Sequence, residues 1–142
     1  MPPQSDSKQD ACSTIPLCNI LGPGTHASTF GGTPLACAVG LAVLATVEQK
    51  NLMAKAAARG RRLVRGLKAL QKKFSCIKEI RGLGLMIGVE LDREVKDTVA
   101  KCVAAGLLLI PAGTHTFRLV PPLTISNADA DQALAVIEKA LV

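Results

Sequence analysis

A short segment of hydroxyl and glycine residues, residues 28–34 (STFGGTP), carries the clearest chemical pattern in the chain. Glycine lets the backbone approach an anion closely, and hydroxyl and N–H groups donate hydrogen bonds to it. Thr33 and Pro34 predict the start of a helix, and a helix N-terminus favours negative charge. The segment therefore predicts an anion site, with a plain helix-capping loop as the alternative. An ordinary nucleoside-triphosphate loop is excluded because the segment has no Walker lysine.

A second candidate is Arg118, the one charged residue in the apolar run from Phe117 to Leu123. If this run is a strand, alternation points Arg118 away from the side on which Phe117 and Leu119 lie. A cation in such a setting needs an anionic partner, and a carboxylate held by two hydrogen bonds is the natural one. Arg118 is therefore predicted to bind a carboxylate, with a structural salt bridge as the alternative.

Residues 81–88 (RGLGLMIG) resemble a dinucleotide-binding fingerprint only in part. That motif opens a helix whose N-terminus meets pyrophosphate. Here a β-branched run, Ile87 to Leu91, follows the glycines. The segment is therefore interpreted as a hairpin turn.

Eight basic residues and no acidic residue lie between Asn51 and Lys73, in a chain whose net charge is +6. Nucleic-acid binding would call for aromatic stacking platforms or a known reader motif beside them. The chain has neither Trp nor Tyr. We therefore expect a solvated helix face rather than a contact with a polyanion, and no nucleic-acid partner.

Cysteine and histidine spacing gives no metal site, because no two of the five cysteines form a C-x-x-C pair. Cys37, Cys76 and Cys102 lie among apolar residues and are predicted to be buried thiols. The odd number of cysteines and the lack of a recognisable signal peptide favour a reducing, cytoplasmic compartment. His26 precedes the anion segment and is a candidate to orient it, whereas His115 is expected to lie exposed in a turn.

An uncharged stretch covers residues 11–47 and raises the question of a membrane span. Its apolar part, residues 35–47, has 13 residues, short of the about 20 that cross a bilayer. The stretch therefore predicts a buried core helix and no membrane contact.

Hydrophobic spacing and turn residues predict the elements that must position these groups. Helices are expected over about 34–49, 51–74 and 93–105 and from Ser126, which with Asp129 forms a capping box. Strands are expected over 77–81, 85–91, 107–110 and 116–120. The order predicts an α+β fold, a small and largely antiparallel sheet covered by helices on one side. The expected division is an unmatched leader over 1–22, the loop and a connecting helix over 23–50, and a small domain over 51–142.

Three segments in order, THASTFGGTPLACAVGLAVL, IRGLGLMIGVEL and GLLLIPAGTHTFRLVPPLTIS, resemble the C-terminal portion of class III aminotransferases. These are pyridoxal-phosphate enzymes of fold type I. Among them, the sequence is most similar to the branch of the acetylornithine and ornithine aminotransferases. The resemblance implies transfer of an amino group from N-acetylornithine to 2-oxoglutarate, as in arginine biosynthesis.

The resemblance also implies roles for single residues. Thr29 corresponds to the threonine that binds the cofactor phosphate across a dimer interface, and Ser28, Gly31 and Gly32 shape that loop. Arg118 corresponds to the arginine that engages a substrate carboxylate or its acidic gate residue. Thr33 stands where many relatives have asparagine.

The family's catalytic lysine, which forms the Schiff base with the cofactor, is expected upstream of the loop in a large domain. Residues 1–22 do not resemble that domain, and Lys8 lacks the surrounding sequence, so no catalytic residue is assigned. The chain alone is therefore expected to be inactive. A non-catalytic partner of a full-length aminotransferase and a truncated product without an independent role are the alternatives.

Overall fold

The computed structural model describes residues 28–142. They divide into two compact units, the first ending at Val43 and the second running from Leu44 to Val142. The leader predicted over 1–22 and His26 lie outside the described residues.

Helix α1, Pro34–Gln49, has the predicted bounds. Thr33 caps it as expected, because its Oγ1 accepts a hydrogen bond from the Ala36 N–H at 3.4 Å. The first helical bond follows, from the Cys37 N–H to the Thr33 carbonyl at 2.9 Å.

The prediction that this helix is a buried core helix was wrong for the described residues, since none of its residues is buried. Leu35 is 76% exposed and Leu41 is 69% exposed. Cys37, predicted to be buried, is exposed, whereas Cys102 is buried and Cys76 is partly buried. The apolar residues lie on all sides of α1, so one neighbouring element could not cover them all.

The second unit follows the predicted order of helix, hairpin, helix, hairpin and helix. Its helices are α2 (Leu52–Lys73), α3 (Lys96–Ala104) and α4 (Asn127–Leu141). Its strands are β1 (Ile77–Leu83), β2 (Met86–Leu91), β3 (Ile110–Pro111) and β4 (Thr116–Leu119). All pairings are antiparallel and the strand order is β1-β2-β4-β3. The α+β fold is confirmed.

Strand alternation separates a helix-covered side of the sheet from an open side. Ile87, Val89 and Phe117 are completely buried on the covered side, together with Leu63 and Leu67 of α2. This core excludes water from the apolar side chains and is the main stabilising contribution to the unit.

Gly60 is where α2 meets the tip of the β1–β2 hairpin. A Cβ atom at this position would lie 2.0 Å from the Gly84 carbonyl oxygen. Gly84 has φ +59° and begins the two-residue turn between the paired residues Leu83 and Met86. The predicted hairpin is confirmed, with its turn at Gly84 and Leu85 and with Gly82 still inside β1.

Two boundaries differ from prediction because backbone hydrogen bonds outside the predicted elements use the residues concerned, one of them tertiary and one local. Helix α3 begins three residues later than Arg93, since the Val95 N–H donates to the Thr114 carbonyl at 3.0 Å. The strand predicted over 107–110 is shorter, because the Leu107 N–H donates to the Cys102 carbonyl at 2.9 Å and closes the end of α3.

The capping box of α4 is confirmed. The Asp129 N–H donates to Ser126 Oγ at 3.1 Å, and the Ser126 N–H donates to Asp129 Oδ2 at 3.1 Å. The hydrogen bond from the Ser126 side chain is the main cause that lowers the pKa of Asp129.

Among the described helices, none alone is long and apolar enough to cross a membrane, and α1 and α2 meet that test only as a bent pair.

Candidate functional site

The predicted anion segment is a tight and exposed turn at the N-terminus of α1. Ser28, Thr29, Gly31 and Gly32 are all exposed. The Gly31 N–H donates to Ser28 Oγ at 3.0 Å, which closes the turn. The Thr33 hydroxyl donates to the Phe30 carbonyl at 3.0 Å and ties the turn to the helix cap.

Both glycines are explained by this local geometry. A Cβ atom on Gly31 would lie 2.9 Å from both Cβ and Oγ of Ser28, so a larger residue would force the turn open. Gly32 has φ +79°, the left-handed region that side-chain-bearing residues disfavour. The sequence therefore requires glycine at both positions for this turn, whatever it binds.

The donors that the turn leaves free define what it could hold. Among residues 28–142, the Thr29 hydroxyl has no hydrogen-bond partner. Ser28 Oγ accepts one hydrogen bond and can still donate its proton. These hydroxyls lie next to the first N–H groups of α1, which carry the positive end of the helix dipole. The arrangement suits a small anion with several oxygen acceptors, such as a phosphate monoester.

Arg118 belongs to the second unit and lies in β4, with Gly88 of β2 and Ile110 of β3 directly opposite it. Phe117 and Leu119 point to the covered side of the sheet and are buried, as alternation predicts, whereas Arg118 is only partly buried. Arg118 has no ion pair within the described part of the chain, so the alternative of a structural salt bridge finds no partner there.

A neighbouring arginine on the same side of the sheet is already neutralised. Arg81 pairs with Gly88 across β1 and β2. Its Nη1 lies 2.6 Å from Glu90 Oε2 and 3.0 Å from Glu79 Oε2. Arg118 is therefore the cation in this row without a carboxylate, and a Cβ atom on Gly88 between the two arginines would contact the Thr116 and Arg81 side chains.

An apolar hollow of about 340 Å³ lies beside Arg118. Its wall residues include Leu108, Ile110, Val120 and Pro122. A low-dielectric wall strengthens an ion pair at its edge, so a carboxylate attached to a carbon chain would suit Arg118 better than a free ion.

The structure brings Ser28, Thr29, Gly31 and Gly32 together in one turn, and Arg118 lies in the other compact unit. Sequence reasoning did not find Gly88 or the pairing of Arg81 with Glu79 and Glu90. Only the strand register places these residues next to Arg118, and no local pattern in the sequence reports that register.

His115 is exposed in a bend, as predicted. No cluster of metal-ligating side chains occurs among residues 28–142.

Comparison with known proteins gives the family. The sequence model of one protein family, the class III aminotransferases, matches residues 10–141 of this chain. The chain therefore belongs to the class III aminotransferases.

The acetylornithine aminotransferase of Nostoc sp. is 45% identical over 130 residues, which cover 88% of this chain and 30% of the relative. That of Caldanaerobacter subterraneus is 42% identical over 123 residues, covering 86% of this chain and 31% of the relative. The chain thus spans about 30% of the length of the curated relatives it matches.

Solved structures agree in fold. The acetylornithine aminotransferase from Elizabethkingia anophelis superimposes with a TM-score of 0.76 at 31% identity, covering 87% of this chain and 34% of that one. An ornithine aminotransferase from Toxoplasma gondii gives a TM-score of 0.77 at 38% identity, with 87% and 30% covered. That Toxoplasma structure is described as having partial occupancy of pyridoxal phosphate at its active site.

Proposed function

We propose that this chain supplies the phosphate-binding loop and the small domain of an aminotransferase that moves an amino group from N-acetylornithine, or an ornithine-like donor, to 2-oxoglutarate. The observation that carries the proposal is the exposed turn at the start of α1, in which the Thr29 hydroxyl lacks a partner among the described residues. Membership of the class III aminotransferases and the resemblance to acetylornithine aminotransferases support it.

The residues of the turn fit the phosphate group of pyridoxal phosphate. Thr29 and Ser28 would each donate a hydroxyl proton to a phosphate oxygen, and Gly31 and Gly32 let the backbone come close to it. When bound, the cofactor supplies the electron sink that amino-group transfer requires. The role of this chain is to bind and orient the phosphate end, with the cofactor belonging to the site of a partner subunit.

Arg118 would bind a substrate carboxylate. N-acetylornithine carries one carboxylate and 2-oxoglutarate carries two, and a guanidinium can hold a carboxylate with two parallel hydrogen bonds. The apolar hollow next to Arg118 leaves room for the carbon chain of the substrate.

The division into residues 1–22, 23–50 and 51–142 belongs to the same proposal: the middle segment binds the cofactor phosphate and the last positions Arg118. The amine that bonds covalently to the cofactor is proposed to lie outside this chain. The chain would form a homodimer or a heterodimer with a full-length aminotransferase, in the cytoplasm and in arginine biosynthesis. Activity then needs the heterodimer, because a homodimer of this chain lacks the amine.

Equilibrium binding of pyridoxal phosphate to the purified chain tests the loop assignment. Thr29→Ala should weaken binding about tenfold to a hundredfold, the effect of losing one hydrogen bond to a charged group. Thr29→Ser, which retains the hydroxyl, should bind as the parent does. Thr124→Ala removes an exposed threonine elsewhere and should change nothing. Equal affinity in all four proteins would refute the loop assignment.

Borohydride treatment of the same mixtures tests whether this chain provides the covalent amine. If that amine lies outside the chain, dialysis after reduction should remove all cofactor from the protein. A reduced cofactor fixed to one defined lysine would overturn this part of the proposal.

The exposed apolar surface of α1 also favours the second candidate, a non-catalytic partner subunit. Mixing the chain with a full-length acetylornithine aminotransferase separates the candidates. Co-elution at a fixed ratio without a change in activity favours a non-catalytic partner. Separate elution counts against it.

A further inference from the structure

A long hollow of about 680 Å³ runs along the side of α2 that meets the tip of the β1–β2 hairpin. One wall consists of basic side chains of α2, namely Arg61, Arg65, Lys68 and Lys72. The hairpin residues Gly82, Leu83 and Gly84 form the opposite wall. We call this hollow the basic groove.

The four cations of the basic groove are exposed and have no ion pair within residues 28–142. Other cations of the same helix are neutralised: Arg62 forms a bidentate pair with Asp131, and Lys73 pairs with Glu138. Four of the six α2 cations without an ion pair in this part of the chain therefore line the groove, and the other two are Lys55 and Arg59.

The spacing of these cations is regular. Steps of four, three and four residues place them in one row along the helix, about 5–6 Å apart. A second helix lying alongside could present carboxylates with the same spacing, so that each cation would meet one acid.

The floor of the groove is small and apolar. Ala57, Val64 and Ala69 line it, and the close contact of Gly60 with the Gly84 backbone closes it at the hairpin end. Leu83 stands in the hairpin wall and is 90% exposed. A partner that fills the groove would therefore need an aliphatic strip next to its acidic row, and it would bury Leu83.

We propose that the basic groove binds an acidic amphipathic helix of another protein. Its carboxylates face Arg61, Arg65, Lys68 and Lys72, and its aliphatic residues face Leu83 and Val64. A single-stranded nucleic acid fits less well, since bases need aromatic platforms and none of the three phenylalanines lines the groove.

A labelled synthetic helix of about 18 residues, with glutamates in the four-three-four spacing and leucines beside them, serves as the probe. Its fluorescence anisotropy should rise saturably on titration with the full chain, and binding should weaken with salt. Arg65→Glu together with Lys68→Glu should weaken binding at least about tenfold. Leu83→Ser should weaken it about threefold, through lost apolar contact.

The matched control is Lys96→Glu together with Lys101→Glu, which changes the net charge equally on exposed residues of α3. It should alter the affinity less than twofold, as expected for charges screened by salt. If the double glutamate variant of α2 melts early by circular dichroism, Arg65→Gln with Lys68→Gln tests the same contacts without repulsion.

Three outcomes would overturn the proposal. Equal losses in the α2 and α3 variants would show that net charge alone attracts the probe. Equal binding of a probe whose leucines are replaced by serine would show that the apolar strip does not contribute to binding. Tighter binding of a single-stranded RNA of equal charge, at the same salt concentration, would assign the groove to nucleic acid.

Discussion

At the scale of single residues, three glycines of the described helices sit in different steric surroundings. A Cβ atom on Gly60 would meet the Gly84 backbone oxygen, and one on Gly66 would lie 2.3 Å from the end of the Leu134 side chain. At Gly40 there is no atom within 4 Å. Backbone cannot yield as a flexible side chain can, so the same substitution should have three different effects.

Gly60→Ala should lower the free energy of unfolding by about 1–3 kcal/mol, because overpacking outweighs the better helix propensity of alanine. Gly66→Ala should cost less, since Leu134 can change rotamer. Gly40→Ala should be neutral or stabilising by up to about 1 kcal/mol. Urea unfolding followed by circular dichroism measures all three. Equal stability of the Gly60 and Gly40 variants would contradict the steric explanation.

Arg118 gives a second prediction at this scale. Arg118→Lys should weaken the binding of 2-oxoglutarate about fivefold or more, because lysine cannot hold a carboxylate with two parallel hydrogen bonds. Chemical-shift titration of the labelled chain measures the affinity. Arg93→Lys, a conservative change at an exposed residue outside both proposed sites, is the control. Unchanged affinity in the Arg118 variant would remove this residue from the proposed site.

At the scale of elements, the capping box of α4 links stability to pH. The pKa of Asp129 is lowered in the folded chain, mainly by the hydrogen bond from the Ser126 side chain. The contribution of the Asp129 carboxylate to the free energy of unfolding is therefore fully present above the unfolded pKa of about 3.9. It is lost as the pH falls through the lower, folded pKa.

Asp129→Asn should reduce the acid-induced fall in the midpoint of thermal unfolding, measured between about pH 5 and pH 2. Ser126→Ala should do the same, because it removes the main cause of the pKa shift. The double variant should add little to either single change, since both break one interaction. Full acid dependence in Asp129→Asn would contradict the assignment.

How far each element could be predicted depends on where its hydrogen bonds go. Ser126 and Asp129 are three residues apart, so the start of α4 could be inferred from sequence. Val95 uses the carbonyl of Thr114, which is distant in sequence, and the predicted start of α3 was therefore early. The same holds at the candidate site: the turn at Gly31 and Gly32 is local, whereas the position of Gly88 beside Arg118 follows from strand register alone.

At the scale of the whole molecule, burial was the least predictable property. The hydrophobic composition of α1 predicted a buried helix. Composition does not specify which other protein surface packs against the helix. Within residues 28–142 five large apolar side chains of α1 are exposed, namely Leu35, Val39, Leu41, Val43 and Leu44. Exposed apolar surface of this kind drives association.

The purified chain should therefore self-associate as its concentration rises, as sedimentation velocity would show. Leu41→Glu with Leu44→Glu should shift it towards the monomer, by placing charge on the exposed surface of α1. Met53→Glu with Leu108→Glu replaces two other exposed apolar residues and adds the same charge. If that pair dissolves the assembly equally well, α1 is not the contact surface.

The ion pairs of α2 have a further consequence for how the molecule meets others. Asp131 and Glu138 of α4 pair with Arg62 and Lys73, whereas the row from Arg61 to Lys72 in the basic groove has no ion pair among the described residues. The second unit therefore has an asymmetric charge distribution. In dilute salt, a negatively charged neighbour diffusing nearby would turn the molecule before touching it, and would arrive preferentially at one flank.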